Sequence, residues 1–199
     1  MGSADEFRAL LTGTIKPTEV ARLLDELSHV QRVEAIRSTT RAEQRKLYQA
    51  VDRFGQVKLT DLVAPSVGTL ETVRHYGKNT LPAFTHFEKR FCRGPRADPE
   101  RPDELYGFNF QTMQPITGPG YFVAVEDPSR DEVLVDYRRV PDEHPEGWPP
   151  IKRNEQGLSR FVYGFMVDTL RRVSEHVTIG SAARKGKDMG SWFLLTRES

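Results

Sequence analysis

The fold class is decided by the stretch YFVAVEDPSRDEVLVDY, residues 121–137. Two runs rich in β-branched and aromatic residues, 121–125 and 133–137, flank the turn sequence Asp-Pro-Ser-Arg at 127–130. Strand-forming runs on either side of a short turn indicate a β-hairpin. Because a hairpin joins antiparallel neighbours, this stretch predicts an antiparallel sheet.

Strand signals continue on both sides of this hairpin, from residue 69 to the last residues of the chain. Tyr106, Phe108 and Phe110 alternate with other residues in 105–113, which places them on one face of a strand. Further strand-like runs are 72–76, 83–92, 177–183 and 191–196, separated by turns at 77–79, 117–120 and 184–187 and by proline-rich loops at 94–103 and 140–154. Residues 165–173 fit either a helix or a strand. The total of seven to nine strands predicts an antiparallel barrel or sandwich.

The first 65 residues have helical spacing instead. Pro17 suits the first turn of a helix, Thr40 and Glu43 have the spacing of a capping box, and Gly55 suits a helix end. One apolar stripe at helical spacing is formed by Val20, Leu23, Leu24 and Leu27. We expect three or four short amphipathic helices. Because short helices are marginal alone, they are expected to lie against another part of the protein.

The last strands resemble a known family. Residues 161–197 read FVYGFMVDTLRRVSEHVTIGSAARKGKDMGSWFLLTR and are similar to the closing strands of the GXWXG-type domains of unknown function, which are small lipocalin-like barrels of bacteria. The shared residues are Tyr163, Asp168, Arg171-Arg172-Val173, Gly180, Lys185-Gly186, Phe193, Leu195 and Arg197. The GxWxG signature itself does not occur in this chain. The resemblance implies a closed lipocalin- or calycin-like barrel and assigns no catalytic role.

These observations together predict an α+β protein of two parts. Short amphipathic helices in residues 1–65 are expected to pack on or cap an antiparallel, lipocalin- or calycin-like β-barrel in residues 66–199. Whether the many aromatic residues after position 75 line a cavity or fill a core stays open.

Composition and charge exclude several classes of partner. The 199 residues carry 29 Lys and Arg against 28 Asp and Glu, so a net charge of +1 exerts no long-range pull on nucleic acid or anionic membranes. No window approaches the ~18 apolar residues of a membrane span, and the N-terminal residues do not resemble a signal peptide. The single cysteine, Cys92, excludes an internal disulfide and fits a cytoplasmic protein. We expect Cys92 to be a strand residue rather than a catalytic thiol.

The candidate ligand-binding residues are polar or aromatic side chains of the predicted strands. They are Tyr121, Tyr137, Tyr163, Asp168, Arg171, His176 and Trp192. Asp168 and Arg171 are expected to lie together, either as an ion pair at the barrel rim or as part of a polar ligand site. The five histidines show no HxxxH or HxH spacing, and although His86 and Glu88 share a strand face, we predict no metal and no cofactor.

Three functional classes are compatible with these residues. The leading prediction is non-catalytic binding of a small apolar or amphipathic ligand in the barrel. An alternative is an enzyme with a cone-shaped α+β pocket, in which Asp168 and His176 act as acid and base. A further alternative is a protein-interaction module that binds its partner through the helices of residues 4–54.

Overall fold

The computed structural model describes residues 2–111, 118–155 and 159–199. Eight strands in these residues form a closed barrel in which each strand pairs antiparallel with the next and the last pairs with the first. The strands are β1 Val73–Asn79, β2 His86–Arg93, β3 Leu105–Phe110, β4 Tyr121–Asp127, β5 Glu132–Asp136, β6 Met166–Arg172, β7 Val177–Arg184 and β8 Lys187–Arg197. The predicted antiparallel barrel is therefore confirmed, with a strand number inside the predicted range.

The hairpin of residues 121–137 is formed as predicted by β4 and β5. Val125 lies opposite Leu134, and Glu126 lies opposite Val133. In the turn, Oδ1 of Asp127 accepts hydrogen bonds from the backbone N–H and the hydroxyl of Ser129. This side-chain-to-backbone bonding is the reason why aspartate and serine favour turns.

The segment that fitted both helix and strand is strand β6. Its residues pair with β5 on one side and with β7 on the other, as in Asp168 opposite Val135 and opposite Ala182. Hydrogen bonds to both neighbouring strands satisfy the backbone of β6. The local sequence fits both a helix and a strand, and pairing with residues distant in the chain selects the strand. Side chains alternate along β6, so Asp168 and Leu170 point into the barrel and Arg171 points out of it.

One predicted turn is wrong, because residues 77–79 belong to β1. A Cβ atom at Gly77 would lie 2.6 Å from Cε1 of Phe87 and 3.0 Å from Cδ2 of Leu195. The glycine therefore leaves space inside the barrel for two larger side chains, which is a recognised use of glycine in a strand. The turn expected at 117–120 and the end of the strand expected at 105–113 fall partly outside the described residues.

Six helices occur in the described residues. They are α1 Ser3–Leu10, α2 Pro17–Glu26, α3 His29–Arg37, α4 Arg41–Ala50, α5 Leu59–Leu62 and α6 Ser159–Val162. Pro17 begins α2, and Thr40 and Glu43 form the predicted capping box at the start of α4. The helix end expected at Gly55 is wrong, because α4 ends at Ala50 and the chain turns at Val51. None of these helices is long and apolar enough to cross a membrane.

Helices α1 to α4 pack on the outer surface of the barrel. Their apolar side chains form one buried cluster with outward-facing residues of β7 and β8. The cluster includes Phe7, Val20, Leu24, Ile36 and Leu47 from the helices and Ile179 and Leu194 from the barrel. The helical stripes therefore lie on the wall of the barrel and not over its end.

The segment of residues 57–67, which contains α5, closes one end of the barrel. Val57, Leu59 and Leu62 join the apolar cluster inside the barrel. Inward-facing arginines of two strands hold this segment: Arg93 donates to the carbonyls of 64, 65 and 67, and Arg197 donates to the carbonyl of Asp61. The interior is consequently filled at this end of the barrel.

Candidate functional site

A cavity of about 360 Å³ occupies the other end of the barrel. Its walls near the rim are largely apolar and come from β1, β2, β6 and β8 and the loop after β1. They include Leu81, Phe87, Met166, Met189, Trp192 and Phe193. Polar side chains form its floor: Lys89 from β2, Asn109 from β3, Asp168 from β6 and Tyr137 directly after β5.

Lys89 is the centre of the polar floor. Its Nζ donates to Oδ1 of Asn109 at 3.1 Å, to Oδ2 of Asp168 at 3.1 Å and to the hydroxyl of Tyr137. An ammonium group has three protons, so each of them has an acceptor. Lys89 and Asp168 are each 2% exposed, which makes this a buried ion pair.

Tyr137 and Asn109 connect the remaining floor groups. The hydroxyl of Tyr137 donates to Oδ2 of Asp168 at 3.2 Å and accepts from Nδ2 of Asn109 at 2.8 Å. Because Lys89, Asn109, Tyr137 and Asp168 come from four different strands or strand ends, the network ties opposite walls of the barrel together. Such buried networks hold their members in one arrangement.

Burial and charge act in opposite directions on the ion pair. Burial lowers the pKa of Lys89 below its ordinary value, and the charge of Asp168 and the hydrogen bond to it offset this only in part. Burial raises the pKa of Asp168 above its ordinary value, and the charge and hydrogen bond of Lys89 and the hydrogen bond of Tyr137 offset this only in part. Burial also raises the pKa of Tyr137 well above its ordinary value, and the neighbouring carboxylate adds to this rise. Tyr137 is therefore a neutral phenol that donates its proton to Asp168.

Aromatic rings surround the ammonium group. Nζ of Lys89 lies 4.9 Å from the ring centres of Tyr137 and Phe193 and 5.0 Å from that of Phe122. These distances lie within the range of cation–π attraction, which favours the charged amine. The ring of Tyr163 stacks on that of Tyr137 at 5.4 Å, and its hydroxyl receives a hydrogen bond from Gln111 at 2.8 Å. The stack continues the aromatic lining from the floor towards the rim.

One polar atom of the floor is unsatisfied within the described residues. Oδ1 of Asp168 is buried and accepts no hydrogen bond from any described group, whereas Oδ2 of the same carboxylate is bonded to Lys89 and Tyr137. A buried oxygen without a donor is costly, by about 1–3 kcal/mol or more when it is charged. Other atoms of Asp168 line the cavity, whereas Oδ1 itself is buried.

Four of the seven predicted site residues line this cavity. They are Tyr137, Tyr163, Asp168 and Trp192. Trp192 lies at the rim, where its ring is 5.9 Å from the guanidinium of Arg41 in α4. The geometry thus brings together the aromatic and acidic part of the predicted site.

The other three predicted residues lie elsewhere. Tyr121 packs on the outside of the barrel against Phe108 and Trp148, and its hydroxyl donates to the carbonyl of Pro149 at 2.5 Å. His176 lies in the turn between β6 and β7, at the closed end, where Nδ1 accepts a 3.4 Å hydrogen bond from Arg197. These positions leave Tyr121 and His176 outside the cavity lining.

Asp168 and Arg171 do not lie together as expected. Residues an odd number of positions apart in a strand point to opposite faces, so Arg171 leaves the barrel. It bonds Glu132 and Asp52, each at 2.8 Å, and lies over the ring of Tyr48. The cation that accompanies Asp168 is Lys89 instead.

Lys89 and Asn109 are site residues that were not predicted from the sequence. A signal for Lys89 exists, because it alternates with Phe87 and Phe91 and therefore shares a strand face with two aromatic residues. Asn109 alternates in the same way with Leu105 and Gly107 in β3. A polar residue on an otherwise apolar strand face indicates an interior polar site.

The residues of the enzyme alternative, Asp168 and His176, are not brought together. Asp168 and His176, the expected acid and base, lie at the floor of the cavity and at the closed end, respectively, and the sheet is a closed barrel rather than an open cone. Glu88 accepts a hydrogen bond from Arg90, and the described residues hold no group of three or more metal-ligating side chains. Burial raises the pKa of the Cys92 thiol to about 12, as expected for an unreactive core cysteine.

Comparisons with family models, with curated proteins and with solved structures returned no match. The geometry of the cavity is therefore the basis for a functional assignment.

Proposed function

We propose that this protein binds a small apolar or amphipathic molecule in the barrel cavity and does not transform it. The observation that carries the proposal is a cavity of about 360 Å³ with apolar walls and a compact polar floor. Small-molecule sites are commonly of ~300–1,000 Å³, with apolar walls and a few polar groups that fix orientation. The two parts of this cavity match the two parts of an amphipathic molecule.

The bonding of the floor supports binding rather than nucleophilic catalysis. A nucleophilic lysine needs a free amine with an accessible lone pair. All three protons of the Lys89 ammonium are donated to neighbouring acceptors, and four aromatic rings lie within 6 Å of Nζ. We infer that Lys89 stays charged and serves to hold the floor together.

We further propose that the barrel is of the lipocalin- or calycin-like kind and acts in the cytoplasm. The up-and-down order of eight strands and the resemblance of residues 161–197 support the first part. The single, buried Cys92 supports a reducing compartment.

A fluorescent dye tests the binding proposal. N-phenylnaphthylamine is small, neutral and apolar, and its emission rises when it leaves water. We expect saturable emission with the unchanged protein. Ala182, which lines the cavity, is the position to block: Ala182→Phe is expected to weaken dye binding at least tenfold by filling the space.

A matched control uses the neighbouring residue. Ala183 lies on the opposite face of β7, so Ala183→Phe adds the same ring outside the barrel. Its dye affinity is expected to stay within about twofold of the unchanged protein. Dye that fails to bind the unchanged protein, or that binds the folded Ala182→Phe variant equally well, would refute binding in the cavity.

A further inference from the structure

We infer that the cavity end of the barrel docks on an anionic lipid surface. Apolar side chains of this end enter the boundary between headgroups and acyl chains, and the cations beside them contact lipid phosphates. The docking surface, called the mouth, consists of the described connections 80–85, 159–165 and 184–191 and of Phe110 at the end of β3. The inference goes beyond the proposed function, because it concerns the outer face of the mouth and not the contents of the cavity.

Large apolar side chains are exposed at the mouth. Among the described residues six large apolar side chains are exposed, and five of these belong to the mouth: Leu81, Phe84, Phe110, Phe165 and Met189, which are 38–55% exposed. The sixth, Val30, lies on α3. Single exposed apolar residues are ordinary on a protein surface. A group of them gathered at one end indicates a surface that contacts a partner or a membrane.

The apolar side chains of the mouth stand on the tips of strand connections. In the connection after β1, Oδ1 of Asn79 accepts from the N–H of Leu81, and Nδ2 of Asn79 donates to the carbonyl of Phe84. At the start of β8, residues 187–189 are exposed without alternation, so this end of the strand extends past the barrel interior. Leu81 and Met189 also line the cavity, so the tips border it.

The two ends of the barrel differ in charge. The connections of the mouth carry Arg160, Arg184, Lys185 and Lys187 against one acid, Asp188. The connections of the closed end, 57–72, 94–104, 128–131 and 173–176, carry eight acids against four cations. Residues 137–158, which join β5 to α6, carry equal numbers of both. Because charges in water act over only ~10 Å at ordinary salt, a surface that touches the mouth meets this positive end and not the net charge of +1.

Cations lie directly beside the aromatic rings of the mouth. Nζ of Lys185 is 4.9 Å from the ring centre of Phe165, and the guanidinium of Arg90 is 4.0 Å from that of Phe110. An apolar ring next to a cation suits the boundary of a bilayer, where the ring enters the apolar layer and the cation stays with the headgroups. Anionic lipids attract such cations when these lie near the membrane surface.

A second copy of this chain fits the mouth less well than a lipid surface does. Two mouths placed face to face would bring like charges together. The closed end of another copy offers acids, but its described connections hold no exposed large apolar side chain. A bilayer with anionic headgroups offers negative charge and, within ~5–10 Å, an apolar layer for the rings. Both features of the mouth therefore find a match in a lipid surface.

Vesicle flotation tests the inference on the unchanged protein. One set of vesicles consists of phosphatidylcholine, and the other of phosphatidylcholine mixed with phosphatidylglycerol. We expect binding to the anionic vesicles to be at least about tenfold tighter than to the neutral ones, because each contacting cation adds to the attraction. Raising the salt concentration from about 0.1 M to about 0.5 M is expected to weaken this binding, since the charges are exposed.

Two variants of the mouth have matched controls elsewhere on the surface. Lys185→Gln with Lys187→Gln is expected to weaken binding to anionic vesicles at least about tenfold, whereas Lys58→Gln with Arg96→Gln removes two exposed cations of the closed end and should change it less than about twofold. Phe84→Ser is expected to weaken it at least about fivefold. Its control is Val30→Ser, which removes the exposed apolar side chain of α3 and should leave vesicle binding unchanged. All four substitution sites are exposed, so the fold is expected to persist and is checked by circular dichroism.

The outcomes separate lipid docking from binding in the cavity. Ala182→Phe fills the cavity but leaves the mouth intact, so it is expected to lose the dye and to keep its affinity for anionic vesicles. Anionic vesicles bound no more tightly than neutral ones, or bound equally well by the mouth variants, would overturn the docking and leave dye binding standing. An assembly of the lipid-free protein that Phe84→Ser dissolves would show that a second copy covers the mouth, and would also overturn it.

Discussion

Lys89 and Asp168 form an ion pair in the interior of the barrel, where each depends on the other. Removing one partner of a buried pair leaves an uncompensated charge, which typically destabilises a protein by about 3–5 kcal/mol. We therefore expect Lys89→Met to lower the free energy of unfolding by about this amount, measured by urea denaturation.

The matched control for this pair is the double substitution Lys89→Met with Asp168→Leu. It removes both charges and keeps similar volumes, so it is expected to recover most of the loss. A single Lys89→Met variant whose free energy of unfolding is within about 1 kcal/mol of the unchanged protein would contradict the account of the floor.

His75 is a buried neutral histidine at the closed end of the barrel. Burial lowers its pKa to about 4, with a smaller contribution from the positive charge of Arg197, whereas the hydrogen bond from Nε2–H to the carbonyl of Leu62 opposes the shift. In the unfolded chain a histidine titrates near ~6.5. Between these values the unfolded chain binds a proton that the folded protein does not, so stability falls as the pH decreases from about 6.5 to 4.

A shift of this size corresponds to about 3 kcal/mol of stability that is present above pH 6.5 and lost by about pH 4. His75→Gln keeps an N–H for the Leu62 carbonyl and does not titrate. Urea denaturation at a series of pH values should show a shallower decline for this variant. Parallel pH profiles of the two proteins would show that His75 is protonated in the folded state.

Among the elements, α4 joins the helices to the barrel wall through Leu47. Its side chain is fully buried in a cluster that includes Ile179 of β7 and Leu194 of β8. Truncating a buried leucine to alanine usually costs about 2–5 kcal/mol. We expect Leu47→Ala to lower the stability by this amount, and to lower it equally when unfolding is followed by helical circular dichroism and by tryptophan fluorescence.

The control is Lys46→Ala, which shortens an exposed residue of the same helix and should change stability by less than about 0.5 kcal/mol. Two separate unfolding transitions for Leu47→Ala would contradict a core shared by the helices and the barrel wall. In that case the helices would form a unit independent of the barrel, as an interaction module requires.

Elements with local signals were predictable from the sequence, and elements fixed by distant contacts were not. The hairpin at 121–137, Pro17 at the start of α2 and the capping box of Thr40 and Glu43 depend on neighbouring residues, and all are found. Gly77 was predicted in a turn because its role, leaving space for Phe87, involves a residue of another strand.

The same distinction applies to the candidate site. Lys89 and Asp168 are 79 residues apart in the chain, so their pairing depends on the register of the closed barrel. Arg171 is close to Asp168 in sequence, but alternation along β6 separates the two side chains. Proximity in sequence therefore suggested the wrong cation for Asp168.

Across the whole molecule, the two ends of the barrel differ in their filling. One end is closed by the apolar side chains of Val57, Leu59 and Leu62, with arginines bonded to the backbone of residues 61–67. The helices cover the wall at β7 and β8. A cavity of about 360 Å³ lies at the other end, above the Lys89–Asp168 floor. This arrangement is what a barrel that takes one small ligand requires.

Nuclear magnetic resonance of the methionine methyl groups shows whether a small amphipathic molecule enters this cavity. Met166 and Met189 both line the cavity. Their signals, assigned with Met166→Leu and Met189→Leu, are recorded during a titration with octanol. We expect both signals to shift saturably and to show nuclear Overhauser contacts to the octyl chain. Unchanged Met166 and Met189 signals at an octanol concentration that saturates other sites would contradict binding in the cavity.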